Sequence, residues 1–204
     1  VKEFLINVTR FFRDTEAFDV LYKTVLPGVL SGKKAGDEVK FWVVACSSGE
    51  EAYSLAMLVC EFLEENSGLG CSVKIFASDV DQDALNLAIK GVYTADALND
   101  LTEERRNKFF VREGRYYTVR PDIRKMVVFA KHDIIKDPPF SKIDLLSCRN
   151  MLIYMSYPLQ KAILRKLHFS LNENGYRFLG PSESPAVLSD YLREIDRKWK
   201  IYEC

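Results

Sequence analysis

The sequence predicts an α/β fold built on a mostly parallel β-sheet with helices on both faces. Short, nearly continuous apolar runs, typical of strands that are covered on both sides, alternate with segments whose apolar residues recur at helical spacing. The 204 residues are 48% hydrophobic and include ten glycines and seven prolines, which is the composition of a globular protein. From about residue 93 to 125 the alternation breaks, and this segment predicts a small antiparallel β insertion.

The first half of the chain supplies the elements around which a ligand site is expected. They are a helix over Thr15–Leu30, a strand over Lys40–Ala45, a long helix over Glu50–Asn66, a strand over Val73–Ser78, and a helix that Asp81 caps and that ends near Gly91.

The insertion and the second half follow from the same patterns. In the insertion we expect a helix over Thr102–Phe110 and strands over Phe109–Arg112 and Arg115–Arg120, joined by a tight turn at Glu113-Gly114. The sheet then resumes with strands over Met126–Lys131 and Ile143–Cys148, a helix over Pro158–Leu171, and strands over Tyr176–Leu179 and Trp199–Tyr202.

Charge and cysteine content argue against several classes of protein. Lys and Arg number 29, as do Asp and Glu, so the net charge is zero and a nucleic-acid partner is not expected. No apolar run approaches the ~20 residues of a membrane helix and no signal peptide opens the chain, so we expect a cytoplasmic protein without membrane insertion. The five cysteines form no CxxC pair and there are two histidines, so no metal site is expected. The chain begins with Val1 rather than Met, and we expect a piece of a longer protein.

The loop between the first strand and the first long helix, within residues 45–54 (ACSSGEEAYS), lies where open α/β sheets bind ligands. Gly49, with the small Ser47 and Ser48, is expected to let the backbone approach a ligand closely, but the dinucleotide motif GxGxxG is absent. Glu50 and Glu51 occupy the first helical turn, and residues 41–73 contain five Glu and no Lys or Arg. Such carboxylates repel a phosphate and favour a cationic, phosphate-free nucleoside such as S-adenosylmethionine. The alternative is that both glutamates merely complement the helix dipole.

Asp79 ends the second predicted strand, where an acidic residue can accept hydrogen bonds from the two hydroxyls of a ribose. The alternative is that Asp79 and Asp81 both cap the next helix. Because Asp81 alone fits the cap, we expect Asp79 to contact the ligand.

Six motifs, in order along nearly the whole chain, resemble those of the CheR-type chemotaxis receptor methyltransferases. They are residues 7–13 (NVTRFFR), 46–54 (CSSGEEAYS), 77–81 (ASDVD), 91–93 (GVY), 148–154 (CRNMLIY) and 180–183 (GPSE). The resemblance implies a Rossmann-like, class I S-adenosylmethionine-dependent methyltransferase fold with a mixed seven-stranded sheet. It also implies transfer of the methyl group of S-adenosylmethionine to glutamate side chains of chemoreceptors, which gives glutamate methyl esters and S-adenosylhomocysteine.

The resemblance further implies roles for particular residues. Arg13 and Tyr154 would lie near the transferred methyl group as catalytic residues. The cofactor would be contacted by Asn7, Thr9, Arg13, Glu51, Asp79, Asp133, Ile134, Arg149 and Asn150, although the best-known members have Asn at the position of Asp133. Two of these side chains have structural alternatives: Tyr154 could face the core, and Arg149 could form a salt bridge that closes its loop.

The resemblance also implies a domain plan and a partner. Residues 1–204 would form the catalytic domain, with residues 1–30 covering the cofactor and about 93–125 forming an inserted β-subdomain, and the family's N-terminal helical domain would be absent. The partner would be the cytoplasmic domain of a chemoreceptor, and the enzyme a monomer. Between residues 103 and 131 the insertion has nine Lys or Arg and four Asp or Glu, which could dock an acidic partner or be ordinary solvated charge. Its turn at Glu113-Gly114 is shorter than in members that grip a receptor peptide, and the LGPSE form of the late motif resembles multidomain signalling proteins.

The implied chemistry requires no general base, because a glutamate with a pKa of about 4.3 is already ionised at neutral pH. Alignment of the reacting atoms can contribute ~7–11 kcal/mol. His132 and His168 are therefore interpreted as structural, and residues 137–140 (DPPF) as a rigid loop rather than the motif of enzymes that methylate nitrogen. Two competing functions remain: a catalytically silent cofactor-binding or scaffolding module, and an NAD-linked oxidoreductase.

Overall fold

Two β-sheets of different size organise the chain. The larger has seven strands in the order β6-β2-β1-β7-β8-β10-β9, and the smaller has three in the order β3-β5-β4. The computed structural model that shows these sheets describes residues 9–185 and 191–204.

The large sheet is mostly parallel, as the apolar runs predict. Its strands are β1 (Glu38–Val44), β2 (Ser72–Asp79), β6 (Val127–Lys131), β7 (Ile143–Cys148), β8 (Leu171–Leu179), β9 (Arg193–Asp196) and β10 (Ile201–Glu203). The first five pair in parallel, and β10 pairs antiparallel with both β8 and β9. From β1 the chain first builds outward through β2 to β6 and then returns to the other side with β7. The order therefore reverses between β1 and β7, which is where such sheets bind ligands.

Helices cover both faces of this sheet. They are α1 (Thr15–Val20) and α2 (Leu26–Leu30), which flank a π-helical turn over Leu21–Val25, then α3 (Glu50–Glu65), α4 (Gln82–Lys90), α5 (Glu103–Phe109), α6 (Pro121–Arg124) and α7 (Tyr157–His168). Along β1, Phe41 and Val43 belong to the core cluster under α1 to α3, whereas Trp42 and Val44 belong to the cluster under α7. Burial on both faces explains why this strand is an unbroken apolar run.

The small sheet is the predicted insertion. It consists of β3 (Val92–Thr94), β4 (Phe110–Glu113) and β5 (Tyr116–Val119), all paired antiparallel. Gly114 has a φ of 63° in the tight turn between β4 and β5, a left-handed conformation that glycine adopts without strain. Arg105 of α5 forms a bidentate ion pair with Glu61 of α3, with both nitrogen–oxygen distances at 2.8 Å, and this pair helps to fix the insertion to the main body.

The predictions for the last third of the chain were partly wrong. The helix predicted over Pro158–Leu171 ends at His168, because the chain turns toward the sheet at Ser170, whose carbonyl accepts the amide of Ile143 at 3.0 Å. Phe169 is 81% exposed in this turn. Leu171 instead begins β8, opposite Ile143 of β7. Strand β9 was not predicted, and β10 begins at Ile201 rather than Trp199, because the Trp199 amide donates to Asp196 in the turn that precedes it.

The first predicted helix is also interrupted. Its middle turn is π-helical, and Pro27 lies directly after that turn. Proline has no N–H and cannot continue α-helical hydrogen bonding, so the wider turn lets the chain remain helical through this point. Within the part of the chain that the structure describes, no helix is both long enough and apolar enough to span a membrane.

Candidate active site

The carboxyl ends of three neighbouring strands bring the predicted site residues together. Glu51 lies in the first turn of α3 after β1, Asp79 is the last residue of β2, and Arg149 directly follows β7. Because these strands run parallel, all three residues lie at one edge of the sheet, and this region is called the ligand edge below.

The loop from β1 to α3 has an unusual backbone. Ala45, Ser47 and Gly49 have φ values of 55°, 49° and 94°, all in the left-handed region. For residues with a Cβ this conformation costs roughly 1–2 kcal/mol, and such strain is concentrated at functional sites. A Cβ on Gly49 would lie 2.9 Å from the Cβ of Ala88 in α4. The contact with α4 therefore by itself requires glycine at this position, while the expected close approach of a ligand to Gly49 stays a prediction.

Asp79 fastens this loop to β2. Its side chain is almost fully buried, one carboxylate oxygen accepts the Ser47 amide at 2.7 Å, and the other accepts the Asp81 amide at 2.9 Å. Asp81 is the N-cap of α4, accepting the amides of Asp83 and Ala84, so the idea that Asp79 shares this role is wrong. Each Asp79 oxygen has a further lone pair, so the carboxylate retains the capacity to accept hydroxyl donors.

Arg149 is the centre of a buried ion network. Its side chain is 1% exposed, and Nη1 donates to Glu51 at 3.0 Å while Nη2 donates to Asp14 at 2.6 Å. The second Glu51 oxygen accepts the Ser147 hydroxyl at 2.5 Å. The guanidinium also lies 4.3 Å from the centre of the Phe178 ring. The salt-bridge alternative thus describes this side chain, and a cofactor contact by Arg149 stays a prediction.

The balance of charge at the ligand edge is negative. Glu51, Asp14 and Asp79 contribute three carboxylates against two guanidiniums, that of Arg149 and that of Arg13, whose carbonyl bonds Arg149. A phosphate there would meet the carboxylates, whereas a cationic nucleoside would partly neutralise them. The residues present therefore fit S-adenosylmethionine, which is cationic and has no phosphate.

Glu50 is not a solvated carboxylate beside the helix dipole. It is buried, and both of its oxygens lie within hydrogen-bond distance of the Ser48 hydroxyl, at 2.7 and 2.9 Å. Burial raises its pKa, and the bond from Ser48 only partly opposes that shift. Both glutamates lie in the first turn of α3, where they can complement the helix dipole, but Glu51 is also ion-paired and Glu50 is also buried, so this is not their only role.

The N-terminal segment crosses the ligand edge. The amide of Phe12 donates to the Ser54 hydroxyl of α3 at 2.9 Å, and the carbonyl of Arg13 accepts Nη2 of Arg149 at 3.1 Å. Phe11 and Phe12 are buried packing residues, as predicted. The half-buried Arg13 is thereby held on a segment that is fixed at both sides. Thr9 is half-buried nearby in sequence, and Asn7 lies outside the described residues.

The late motif supports the loop after β7. One oxygen of Glu183, which is 4% exposed, accepts the amides of Met151 and Leu152 at 2.9 and 2.8 Å, and the other accepts the Gly180 amide at 2.7 Å. Burial raises the pKa of Glu183, against the opposing effect of these hydrogen bonds. The loop it holds begins with Asn150, whose φ of 57° is left-handed.

Tyr154 follows on a short 3-10 turn and is 59% exposed. The alternative of a core-facing tyrosine is therefore wrong. Its side chain is accessible from solvent, and its role near the transferred group stays a prediction.

Asp133 and Ile134 lie after β6 and are held mainly by their own loop. Asp133 accepts the Ile135 amide at 3.0 Å and pairs with Lys136 at 3.4 Å; although burial opposes it, these contacts lower its pKa. The Ile134 side chain is buried in the core under α7, and its carbonyl accepts Nζ of Lys166 at 2.9 Å. The structure neither brings these two residues into the ion network nor assigns them a cofactor contact.

The residues set aside as structural do pack as expected. His132 lies edge-on to Trp42 with ring centres 5.5 Å apart, and its Nε2 is 2.9 Å from the Pro138 carbonyl. Phe140 stacks on Phe76 with ring centres 5.3 Å apart, so the loop of residues 137–140 packs against the core through Phe140.

Three contributors were missed from the sequence: Asp14, Ser147 and Ser54. Asp14 directly follows the NVTRFFR motif and has a left-handed φ of 63°. Ser147 is, with Asp144, one of two polar or charged residues in the buried strand β7, and it bonds Glu51 across 96 residues of sequence. A polar residue inside a buried strand is a signal that could have pointed to Ser147, whereas no local pattern reveals the contact of Ser54.

Comparison with known proteins establishes the family. Residues 7–201 match the family described as "CheR methyltransferase, SAM binding domain". This chain belongs to the CheR methyltransferase family. It is 37% identical over 193 residues to chemotaxis protein methyltransferase 1 of Pseudomonas aeruginosa, which is 93% of this chain and 70% of that protein. The domain is therefore a methyltransferase whose cofactor is S-adenosylmethionine, as predicted.

A second relative is much longer. A Rhodobacter capsulatus protein named "Uncharacterized 104.1 kDa protein in hypE 3'region" is 37% identical over 202 residues. The match covers 99% of this chain but 21% of that protein. Among solved structures, the DszA carbon methyltransferase has a TM-score of 0.51 at 13% identity, covering 85% of this chain and 37% of that one. That likeness supports the fold alone, and the predicted class I methyltransferase fold is confirmed.

Proposed function

We propose that this domain transfers the methyl group of S-adenosylmethionine to glutamate side chains in the cytoplasmic domain of a chemoreceptor, and that it acts in the cytoplasm as a monomer. The observation that carries the proposal is the shared ion network, in which Arg149 joins the Glu51 carboxylate to the backbone of Arg13. The Arg149 guanidinium thereby holds two partners in place. One is the Glu51 carboxylate, which suits the cationic cofactor, and the other is the backbone of Arg13, whose side chain suits an anionic substrate.

The cofactor, when bound, supplies a methyl group activated by a cationic sulfur. Asp79 is proposed to accept hydrogen bonds from the ribose hydroxyls, because its carboxylate is held by two backbone amides and keeps free lone pairs. Glu51 contributes negative charge that Arg149 and Ser147 hold in place. The remaining proposed contacts come from Asn7, Thr9, Arg13, Asp133, Ile134, Arg149 and Asn150.

Arg13 and Tyr154 are the proposed catalytic residues. Arg13 would orient the carboxylate of the substrate glutamate, so that one oxygen is held while the other attacks the methyl carbon. Pairing also prevents the incoming anion from being buried without a counter-charge. The exposed phenol of Tyr154 can hydrogen-bond to the substrate from the side that faces solvent.

No general base is needed for this reaction. The attacking glutamate is ionised at neutral pH, since its ordinary pKa is about 4.3. The domain can therefore act by alignment, which contributes up to ~7–11 kcal/mol in favourable cases.

The insertion, residues 93–125, is the proposed docking face for the receptor, while residues 1–30 are proposed to cover the cofactor. Arg106, Arg112 and Arg120 line a groove of about 520 Å³ on this face. Among the described residues, no carboxylate lies within ion-pair distance of these three side chains. Unpaired surface cations of this kind attract an acidic partner and speed its association.

The experiment that tests the function uses S-adenosylmethionine with a tritiated methyl group and the purified cytoplasmic domain of a chemoreceptor. The expected product is a labelled receptor whose radioactivity is released by mild base, because methyl esters of glutamate are base-labile. Label that resists base would contradict the proposal and indicate methylation of nitrogen. Binding of the cofactor without transfer to any receptor domain would favour the silent scaffolding module.

A further inference from the structure

The GVY motif at residues 91–93 places one tyrosine beneath the small sheet. Gly91 ends α4 with a left-handed φ of 61°, and its amide donates to the Leu87 carbonyl at 3.1 Å. The chain then reverses into β3, where Tyr93 is the buried residue between the exposed Val92 and Thr94. The motif thus directs a large polar side chain from the insertion into the main body.

Tyr93 contacts both segments that form the ligand edge. Its hydroxyl donates to the carbonyl of Ser48, in the loop between β1 and α3, at 2.7 Å. Its ring meets Phe11 of the N-terminal segment edge-on, with ring centres 4.9 Å apart. Phe11 is followed by Phe12 and Arg13, so a single side chain touches the loop on one side and the substrate-orienting segment on the other.

The loop depends on such contacts to keep its shape. Ala45 and Ser47 hold left-handed conformations that an isolated peptide would leave. Asp79 fixes the Ser47 amide, and Glu50 binds the Ser48 hydroxyl. Both of these supports come from the large sheet and its own helix, whereas Tyr93 supports the loop from the insertion.

We infer that Tyr93 is a positioning residue for the cofactor loop, and that the small sheet is part of the support of the cofactor site rather than an appendage. The inference rests on the proposed binding of the cofactor at this loop. Removing the Tyr93 hydroxyl frees the Ser48 carbonyl and lets the loop leave its bound conformation, so the cofactor must restore that conformation when it binds.

The test compares two tyrosine-to-phenylalanine variants by calorimetric titration with S-adenosylhomocysteine. Tyr93→Phe removes the bond to Ser48 and keeps the ring. Tyr53→Phe is the matched control, because the hydroxyl of Tyr53 is also buried but donates to the Ala88 carbonyl of α4, at 2.8 Å. Urea unfolding of both variants compares their stability.

We expect Tyr93→Phe to raise the Kd about 3- to 10-fold, the effect of one neutral hydrogen bond, with the number of binding sites unchanged. We expect Tyr53→Phe to change the Kd less than about twofold even though it loses a bond of the same kind. A merely structural role for Tyr93 would lower the number of binding sites and leave the Kd unchanged, and this result would overturn the inference.

The Asp79→Ala variant separates this inference from the proposed site. If Asp79→Ala weakens binding and Tyr93→Phe does not, the inference is wrong and the proposed cofactor site stands. If neither variant changes the Kd, the proposed placement of the cofactor at this loop is wrong as well.

Discussion

The ligand edge and the small antiparallel sheet carry their charges in opposite ways. At the ligand edge, Arg149 is almost fully buried and holds two carboxylates, and Asp79 accepts two backbone amides. In the insertion around the small sheet, Arg106 of α5, Arg112 of β4 and Arg120, which follows β5, line an open groove. Glu103 lines it too, but no carboxylate of the described ranges 9–185 and 191–204 lies within ion-pair distance of these three arginines. In the folded protein the charges of the first region are thus ion-paired or hydrogen-bonded, whereas the three arginines of the second region have no counter-ion in the part of the chain that the structure describes.

This difference indicates how each region can bind. Charges that folding has already fixed and desolvated interact strongly and are screened little by salt, which suits a small cofactor that must be held in one geometry. Exposed charges steer a large partner but give it little affinity at physiological salt. Substitutions in the first region should therefore affect folding and chemistry, and those in the second should affect the encounter with the receptor.

The largest expected effect is on stability, from Arg149→Met. The variant leaves the partly buried carboxylates of Glu51 and Asp14 without their counter-ion. Breaking a buried ion pair on one side typically costs about 3–5 kcal/mol, and the partial exposure of these carboxylates places the expected loss at the lower end of that range. Urea unfolding measures the loss. Arg112→Met on the small sheet is the control and should change the free energy of unfolding by less than about 0.5 kcal/mol. Equal losses for the two variants would break the comparison between the regions.

Arg13→Ala should lower methyl transfer about 10- to 100-fold at saturating cofactor, because the substrate carboxylate loses the group that orients it. Initial rates with the receptor domain measure this effect. The control is Arg10→Ala, which removes an exposed arginine of the same segment whose partner is Asp100, at 3.7 Å. An undiminished turnover number for Arg13→Ala would contradict its catalytic role.

A triple variant of the groove in the insertion, Arg106→Ser with Arg112→Ser and Arg120→Ser, tests the second region of the comparison. It should raise KM for the receptor domain several-fold at low salt and flatten the dependence of the rate on salt. The Kd of the cofactor and kcat should stay unchanged. Arg193→Ser, in the edge strand β9 of the large sheet, is the control. An equal change in KM for this variant would show that the overall charge of the protein, rather than this groove, determines the effect.

The smallest expected effect comes from Glu50→Gln. Burial raises the pKa of Glu50 above its ordinary value of 4.5, so the folded protein binds this proton more tightly than the unfolded chain does. Its contribution to stability is full below pH 4.5 and is lost as the pH rises through the folded pKa. At neutral pH, Glu50→Gln should therefore raise the free energy of unfolding relative to wild type, and the difference should vanish at low pH.

Glu183 provides the contrast to Glu50. Its pKa is also raised by burial, yet its carboxylate accepts three backbone amides, those of Met151, Leu152 and Gly180. Glu183→Gln would set an amide group against one of these donors and should lower the free energy of unfolding by about 1–3 kcal/mol. Stabilisation by Glu183→Gln would show that the free-energy cost of burying the charged carboxylate exceeds the stabilisation from its hydrogen bonds.

Much of the fold could be predicted because its signals are local. The apolar run at β1 reports burial on both faces, and the Asp81 cap, the turn at Glu113-Gly114 and the resulting small sheet follow from short patterns. The errors occurred where the chain leaves the central sheet. Phe169 is apolar although it is exposed, and β9 is short and half-exposed. At neither position does the residue type indicate the actual burial.

The candidate site was predictable in its residue types but not in its connections. Glu51, Asp79 and Arg149 were all singled out, and the structure places them at one edge. Arg149 forms ion pairs with Glu51 and with Asp14, which is 135 residues away in sequence. These pairs depend on tertiary packing. For the same reason the contact of Tyr93 with Ser48 could not be read from the GVY motif alone.

The central claim is that the ligand edge holds a cationic, phosphate-free nucleoside through Asp79. The most direct test is calorimetric titration of the wild type and of Asp79→Ala with S-adenosylmethionine, S-adenosylhomocysteine and NADH, with Asp83→Ala on α4 as the control. We predict that the first two ligands bind the wild type, that NADH does not, and that Asp79→Ala weakens S-adenosylmethionine about 10- to 100-fold while Asp83→Ala leaves it unchanged. Tight binding of NADH, or an unchanged Kd for S-adenosylmethionine in Asp79→Ala, would contradict the claim.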